Sequence, residues 1–317
     1  MRAVRHSSQN ASTSMPFLNP RLAQAGGFKK VKARAKINIA LDILGQRADG
    51  YHDLRSIMQT LHLHDSLTIT ATDKSFQLIC DDPLLPVDDT NLITQAANFL
   101  IKEYKISSGV RIELSKRIPT SAGLGGGSSD CAATLIGMNA LFSLDIPLHR
   151  LMEIGLYFGA DVPFCLLQGT ALAEGIGEKL TSLATHPPCW VLLACPDVAV
   201  STATIFKMYS SNHQDQHAKR PNIPQLVDFI SNSNLAGIAS GLGNVLTSVT
   251  TRLHPEIDLL MHQMSSLGAL GTCMSGSGPT VFGYFDNENN AVAAQCELKQ
   301  TIRKVFLTRT FNQEGRF

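Results

Sequence analysis

Twelve consecutive residues, Pro119-Thr-Ser-Ala-Gly-Leu-Gly-Gly-Gly-Ser-Ser-Asp130, carry the strongest chemical signal in this 317-residue chain. Gly123, Gly125, Gly126 and Gly127 let the backbone take unusual angles and bring N–H groups close to an anion. The run from Cys131 to Phe142 has a broad apolar face and reads as a helix. Its unpaired N–H groups and positive dipole end would face the same anion. Ser128 and Ser129 add hydroxyls for a phosphate or its magnesium. The chemistry suggested is phosphate binding, and the spacing excludes two familiar forms of it. A P-loop needs Gly-Lys-Ser/Thr after its glycines, and no lysine follows here. A dinucleotide fingerprint begun at Gly123 or Gly125 ends on Ser128 or Asp130 instead of its last glycine. The plain alternative is a flexible connecting loop.

Other residues stand where they could serve a phosphate. Val31–Asp42 alternates as a strand does; with Ile37, Ile39 and Leu41 toward a core, Lys36 and Asn38 share the opposite face. A strand lysine also reads as a solvated edge charge. Asp161 lies in Gly159-Ala-Asp-Val-Pro163, fixed between a glycine and a proline and flanked by Phe158, Val162 and Phe164. A carboxylate in apolar sequence is costly unless paired or functional; it also reads as the cap of a following element. Asp49-Gly50 marks a turn. Tyr51 and His52 at its exit offer a ring to stack and an edge to hydrogen-bond, or simply pack a hairpin end. Lys116 and Arg117, just ahead of the loop, serve an anion or face solvent. His62 and His64 would share one strand face, but no third ligand is near in sequence, and a half-exposed strand face is the better reading. Met274–Gly283 is a second glycine-rich turn, which offers N–H groups to an anion or turns a hairpin.

These residues need scaffolding, and periodicity supplies it. Strands are expected over 56–63, 65–72, 76–80, 109–114, 170–174, 190–194 and 305–311. Helices are expected over 91–104, 148–158, 201–208, 225–232, 244–253, 256–266 and 291–304, with Asp89 or Thr90 capping the first. A polar loop is expected over 210–224, and Pro187-Pro188 is the best place to divide the chain. Formal net charge is +1, so no global field points to nucleic acid. The seven cysteines lack paired spacing, and several sit in apolar runs. They read as reduced core residues of a cytosolic protein, not disulfides or zinc ligands. No apolar run is long enough to span a membrane. Residues 1–28 hold no Asp or Glu and no apolar signal region. They read as a disordered extension or as sequence ahead of a start at Met15, with an organelle transit peptide as the alternative.

In order and spacing, the Ala35-Lys-Ile-Asn38 strand, the Pro119–Asp130 loop and the Met274–Gly283 turn resemble the GHMP small-molecule kinases. That family includes galactokinase, homoserine kinase and mevalonate kinase. The resemblance runs from about Ala33 to Phe311. Gly45-Gln-Arg-Ala-Asp-Gly-Tyr-His52 and Gly159-Ala-Asp-Val-Pro163 narrow it to members that act on a cytidine diphosphate conjugate. It implies an α+β protein of two domains. An amino-terminal ATP-binding domain over 29–186 would carry a left-handed βαβ crossover, against the usual right-handed rule. A ferredoxin-like carboxy-terminal domain would occupy 187–317.

The resemblance also implies a reaction: transfer of the γ-phosphate of ATP to the 2-hydroxyl of a methylerythritol moiety, on the non-mevalonate route to isoprenoid precursors. By resemblance, Asp161 takes or orients the hydroxyl proton, and Lys36 offsets charge on the transferring phosphoryl. Pro119, Ala122, Gly123, Leu124, Gly125, Gly126, Gly127, Ser128 and Ser129 would hold the triphosphate, with Asn91 and Lys116 near its base. Magnesium would arrive on ATP, with Ser129 as a further ligand. Substrate contacts fall to Asn38, Tyr51, His52, Asp161, Thr202, Phe206, Ser275 and Gly276. His52 would meet the cytosine edge, Tyr51 and Phe206 would sandwich the ring, and Asn38 and Thr202 would take the sugar or diphosphate side. Ala203 stands where the family often has proline, which loosens one apolar contact. The implied setting is a bacterial cytoplasm, or a plastid if the head is a transit peptide. A monomer or weak homodimer is expected, with no nucleic-acid or membrane partner. A kinase for homoserine or mevalonate is a rival, but neither substrate has a flat base for Tyr51, His52 and Phe206. Ser128 and Asp130 oppose a nicotinamide-dependent oxidoreductase. Retention of Lys36 and Asp161 opposes a non-catalytic nucleotide sensor.

Overall fold

The longest alternating stretches become the longest strands. β1 (Phe28–Gln46) and β2 (His52–Thr72) form an antiparallel hairpin around the Asp49-Gly50 turn, where Gly50 takes φ +86°. β2 runs unbroken where the sequence suggested two strands. Its second edge is covered in succession by β5 (Thr170–Gly175), pairing residues 54–59, and β4 (Gly109–Ser115), pairing residues 66–72. One long strand thus serves two sets of partners. β1 carries register shifts at Arg34/Lys36, Asn38/Ala40 and Ile43/Gly45, which bend it. The computed structural model describes residues 27–211 and 220–312. Most of the expected head extension, and much of the expected 210–224 loop, lie outside the described residues.

β3 (Gln77–Cys80) and β4 are parallel neighbours joined through α1 (Leu92–Glu103), a βαβ unit. α2 (Gly126–Leu141), α3 (Leu148–Leu156) and α4 (Val162–Leu167) follow, then β5 and β6 (Lys179–Ser182). The remaining elements are β7 (Trp190–Cys195), α5 (Thr202–Ser211), α6 (Ile223–Ser231), α7 (Leu235–Gly241), β8 (Gly243–Asn244), α8 (Thr247–Leu253), α9 (Pro255–Ser266), β9 (Gly271–Met274), β10 (Val281–Phe285), α10 (Glu288–Leu298) and β11 (Lys304–Arg309). The large sheet has the order β3-β4-β2-β1-β8, with β5 and β6 built out from β2. The second sheet, β11-β7-β10-β9, is antiparallel throughout. Its strands, taken in chain order, lie as 4-1-3-2, the ferredoxin-like arrangement.

The two sheets share a core. Ile37, Ile39 and Ile57 of the hairpin pack in one cluster with Leu124, Val191, Leu193, Phe282 and Tyr284. β8, from the far half of the chain, pairs in parallel with β1 at Ala40 and Leu41.

Helix starts differ from expectation for local reasons. α1 is capped by Asn91, whose side-chain oxygen accepts the Ile93 N–H, and not by Asp89 or Thr90. α8 begins at Thr247 because Asn244 is drawn into β8 and donates to the carbonyls of Met274 and Gly276. α10 starts at Glu288 because Asn287 caps it. α4 is short and apolar all round, so it gave no helical period to read.

Candidate functional site

The glycine loop joins β4 to α2 and forms one wall of a cleft of about 600 Å³. Gly123 and Gly125 take φ +76° and +68°, the left-handed region that glycine enters without a Cβ penalty. Gly125 is the N-cap of α2, so the first turn, Gly126-Gly127-Ser128, points its free N–H groups at the cleft. Each glycine also permits a close approach. A Cβ on Gly125 would stand 2.9 Å from Cγ of Lys36. A Cβ on Gly123 would stand 2.2 Å from the carbonyl oxygen of Ser275. The two glycine-rich loops therefore touch, and the Ser275 hydroxyl donates to the Gly123 carbonyl at 2.9 Å. Gly123→Ala should force them apart and strain the backbone. Urea unfolding should read a loss of about 1–3 kcal/mol, together with weaker ATP binding by calorimetry. Unchanged values for both would show that the contact is dispensable.

The register shift at Arg34/Lys36 releases the Lys36 backbone N–H, which donates to the Leu124 carbonyl at 3.0 Å and ties β1 to the loop. Lys36 is only 5% exposed, which rules out the solvated-edge reading. Its Nζ donates to Asn38 Oδ1 at 2.8 Å and lies 3.3 Å from Asp161 Oδ2. Asn38 is held in turn, donating to Ser56 Oγ at 2.8 Å, while Ser56 donates to the Ala40 carbonyl. Asp161 sits at the N-cap position of α4 but makes no capping bond. Its side chain is 34% exposed, on the cleft wall, so one carboxylate face is paired with an ammonium and another is open.

Ser128 and Ser129 divide. Ser128 is half-buried and lines the cleft. Ser129 is 2% exposed, and its hydroxyl donates to the Arg34 carbonyl at 2.7 Å, away from the cleft. Among the described residues no cluster of three His, Cys, Asp or Glu could cage a metal. The expected His62–His64 strand face is not a metal pair: the His64 ring bonds the His62 carbonyl, and His62 meets Phe311 edge-on. A magnesium ion carried on phosphates needs no protein cage. Asp161 and Ser128 are oxygen donors on the wall suited to such an ion.

Lys116 lines the cleft beneath α2 but is heavily engaged. Its Nζ lies 2.6 Å from Asp65 and 2.9 Å from Asp130, and all three side chains are buried. Asp65 also accepts from the backbone N–H groups of Arg117 and Ile118. Asp130 Oδ1 is buried without a partner. Burial pushes the Asp130 carboxyl up to about 8 against the pull of Lys116, and Asp65 adds to the rise. For Lys116, burial works against the charge, but Asp130 and Asp65 outweigh it and raise its pKa. At neutral pH, then, Asp130 holds its proton. The folded state binds that proton more tightly than the unfolded state does. Stability from this group is therefore present at low pH and is lost as pH rises from 3.8 to about 8. Asp130→Asn should remove that loss. Its melting temperature relative to wild type should climb across that window, and a difference independent of pH would contradict the assignment.

Asn91 also lines the cleft; its amide both caps α1 and donates to the Pro86 carbonyl at 2.7 Å. Leu85 and Pro86 add an apolar wall there, in a loop where sequence periodicity gave no signal. Phe206 and Thr202 line the other end, with Thr202 Oγ1 2.8 Å from Ser277 Oγ. Gly276 borders the cleft, and Ser275 is fully buried behind it. His52 packs on Phe206 and is 8% exposed. His52 stands behind Phe206 and not on the cleft wall itself, and Tyr51 is 62% exposed and outside that wall, so the expected sandwich is not closed here. Ser56, Asp65, Ser210 and Ser277 carry no spacing signal in the sequence, and Asp130 shows there only as the end of the glycine loop.

Family models match in both halves: the GHMP kinases N terminal domain over residues 91–169 and the GHMP kinases C terminal over 223–304. A 4-diphosphocytidyl-2-C-methyl-D-erythritol kinase of Lachnospira eligens is 44% identical over 285 residues, covering 89% of this chain and 98% of that protein. One of Lachnoclostridium phytofermentans is 45% identical over 288 residues, covering 90% and 98%. A crystal structure of 4-(cytidine 5'-diphospho)-2C-methyl-D-erythritol kinase superposes with a TM-score of 0.77 at 30% identity, covering 90% of this chain and 100% of that one. A homoserine kinase from Cytophaga hutchinsonii shares the fold, with a TM-score of 0.71 at 19% identity over 93% and 98% of the two chains.

Proposed function

The chain belongs to the GHMP kinases and, within them, to the 4-diphosphocytidyl-2-C-methyl-D-erythritol kinases; from this we propose that it transfers the γ-phosphate of ATP to the 2-hydroxyl of that substrate. The products are the 2-phosphate and ADP, on the methylerythritol phosphate route to isoprenoid precursors. The protein is a small-molecule kinase. The observation that carries the chemistry is the Lys36–Asp161 pair, 3.3 Å apart on the cleft wall that also holds the first turn of α2.

In the mechanism we infer, the backbone of residues 122–127 and the Ser128 hydroxyl grip the triphosphate at the positive end of α2. Asn91, Leu85 and Pro86 border the nucleotide's base. Asp161 accepts a hydrogen bond from the substrate hydroxyl and takes its proton as the oxygen–phosphorus bond forms. Lys36, steered by Asn38, stays within reach of both Asp161 and the transferring phosphoryl oxygens. Phosphoryl transfer passes through a loose transition state, so alignment and fixed positive charge contribute as much as basicity. Magnesium carried on ATP would sit beside Ser128 and Asp161 and would supply positive charge to offset that of the phosphates. Phe206 and Tyr51 stack the cytosine ring, with Tyr51 swinging inward, while Thr202 and Asn38 take the sugar or diphosphate side. We place the domain divide at residue 187 and the enzyme in a cytoplasm as a monomer or weak homodimer. Among the described residues no helix is long and apolar enough to cross a membrane.

Coupled ADP release from MgATP tests the reading, with 4-diphosphocytidyl-2-C-methyl-D-erythritol set beside homoserine, mevalonate and no acceptor. Release with the cytidine conjugate alone is expected. Release with another acceptor in its place would keep the kinase and remove the cytidine pocket.

A further inference from the structure

α5 carries Phe206 on the cleft wall and Ser210 one turn later. His52, at the start of β2, lays its ring on Phe206 with centroids 5.2 Å apart and planes tilted by 47°. Its Nε2 lies 2.5 Å from Ser210 Oγ. A serine hydroxyl has one proton to give. Ser210 gives it to the Phe206 carbonyl, 3.1 Å away, in the i−4 bond that serines commonly make within helices. With the Ser210 proton assigned to that bond, Ser210 meets His52 as an acceptor, which places the imidazole proton on Nε2. Nδ1 is left with a lone pair, and among the described residues it has no partner. The ring is neutral near pH 7, because burial lowers its pKa.

We propose that Ser210 fixes His52 in the Nε2–H tautomer, so that Nδ1 accepts from the exocyclic amine of cytosine and rejects uracil. Uracil presents a carbonyl oxygen where cytosine presents that amine, and two lone pairs would then face each other. Without Ser210, either ring nitrogen can carry the proton. The Nδ1–H form would donate to the uracil carbonyl, so discrimination should fall. Ser210 thus acts through His52 as a positioning residue and sets the base specificity of the function proposed above, on which this inference rests.

Two measurements test it together. The first is kcat/KM for the cytidine diphosphate conjugate and for its uridine diphosphate counterpart, in wild type, Ser210→Ala and Ser210→Thr. The cytidine-over-uridine ratio should fall by about tenfold in Ser210→Ala, the worth of roughly one hydrogen bond. The change should appear in KM more than in kcat, and Ser210→Thr should restore it. The second is the pattern of two-bond proton–nitrogen couplings of the His52 ring in the free protein. It should report protonated Nε2 in wild type and a mixture in Ser210→Ala. A ratio and a tautomer both unchanged in Ser210→Ala would overturn the inference while leaving the kinase reading intact. A wild type that turns over no cytidine conjugate would overturn the functional reading and the cytosine assignment with it, whatever the tautomer.

Discussion

Asp161→Ala should lower kcat by about 10²–10⁴, the usual worth of a positioned general base, with little change in the KM for ATP. Asp161 stands on the cleft wall, and its side chain pairs with Lys36 at 3.3 Å. Removing the carboxylate leaves Lys36 bonded to Asn38, so the lysine should keep its place. The defect should therefore fall on the chemical step, as single-turnover kinetics would read. Asp161→Asn separates two contributions. It keeps an oxygen that can orient the substrate hydroxyl but cannot take its proton. If Asn matches Ala, basicity dominates; if Asn recovers most of kcat, orientation does. An Asp161→Ala enzyme with wild-type kcat would remove the residue from the mechanism.

Lys116→Met should be the most destabilising of the substitutions considered, by about 3–5 kcal/mol, the cost of stranding buried charge when one partner of a buried ion pair is removed. The ammonium sits between Asp65 and Asp130, and neither carboxyl can reach solvent. Asp65 would keep its two backbone donors, whereas Asp130 would lose the one side-chain hydrogen bond it makes among the described residues. The cluster also underlies the glycine loop, since a Cβ on Gly126 would lie 3.3 Å from Lys116 Nζ. ATP binding should weaken along with stability. Adding Asp65→Asn to Lys116→Met should return part of the loss, because Asp130 already holds its proton and the stranded charge is that of Asp65. Denaturant midpoints for the two singles and the double form a cycle that measures the coupling. A Lys116→Met midpoint equal to wild type would mean that water reaches the cluster.

The parts of the site legible in the sequence were those with a local signature. The glycine loop announced itself through composition, and the shared face of Lys36 and Asn38 followed from strand alternation and is borne out by their hydrogen bond. Alternation did not tell that this face would be buried in a cleft rather than wet, because that depends on α2 and α4 arriving from later in the chain. Asp161 was suspicious for its apolar neighbours, yet only the fold separates a cap from a residue paired with Lys36. The Lys116 cluster was out of reach. It joins residues 65, 116 and 130 through β2, the end of β4 and α2; Lys116 and Asp130 border the glycine loop in sequence, but nothing local ties them to Asp65 or to each other. The same holds for His52 and Ser210, which are 158 positions apart. Element ends slipped wherever an asparagine was the deciding side chain, as at Asn91 and Asn287, since its capping bond can start a helix earlier or later than apolar period suggests.

The contact between the two glycine loops bears on how such an enzyme can diversify. Gly123 belongs to the first half of the chain and Ser275 to the second, and β8, also from the second half, completes the edge of β1. A hybrid that joined one relative's residues 29–186 to another's remainder would have to match at both seams at once. The two walls of the cleft are thus mechanically joined, and a mismatch at either seam should displace both.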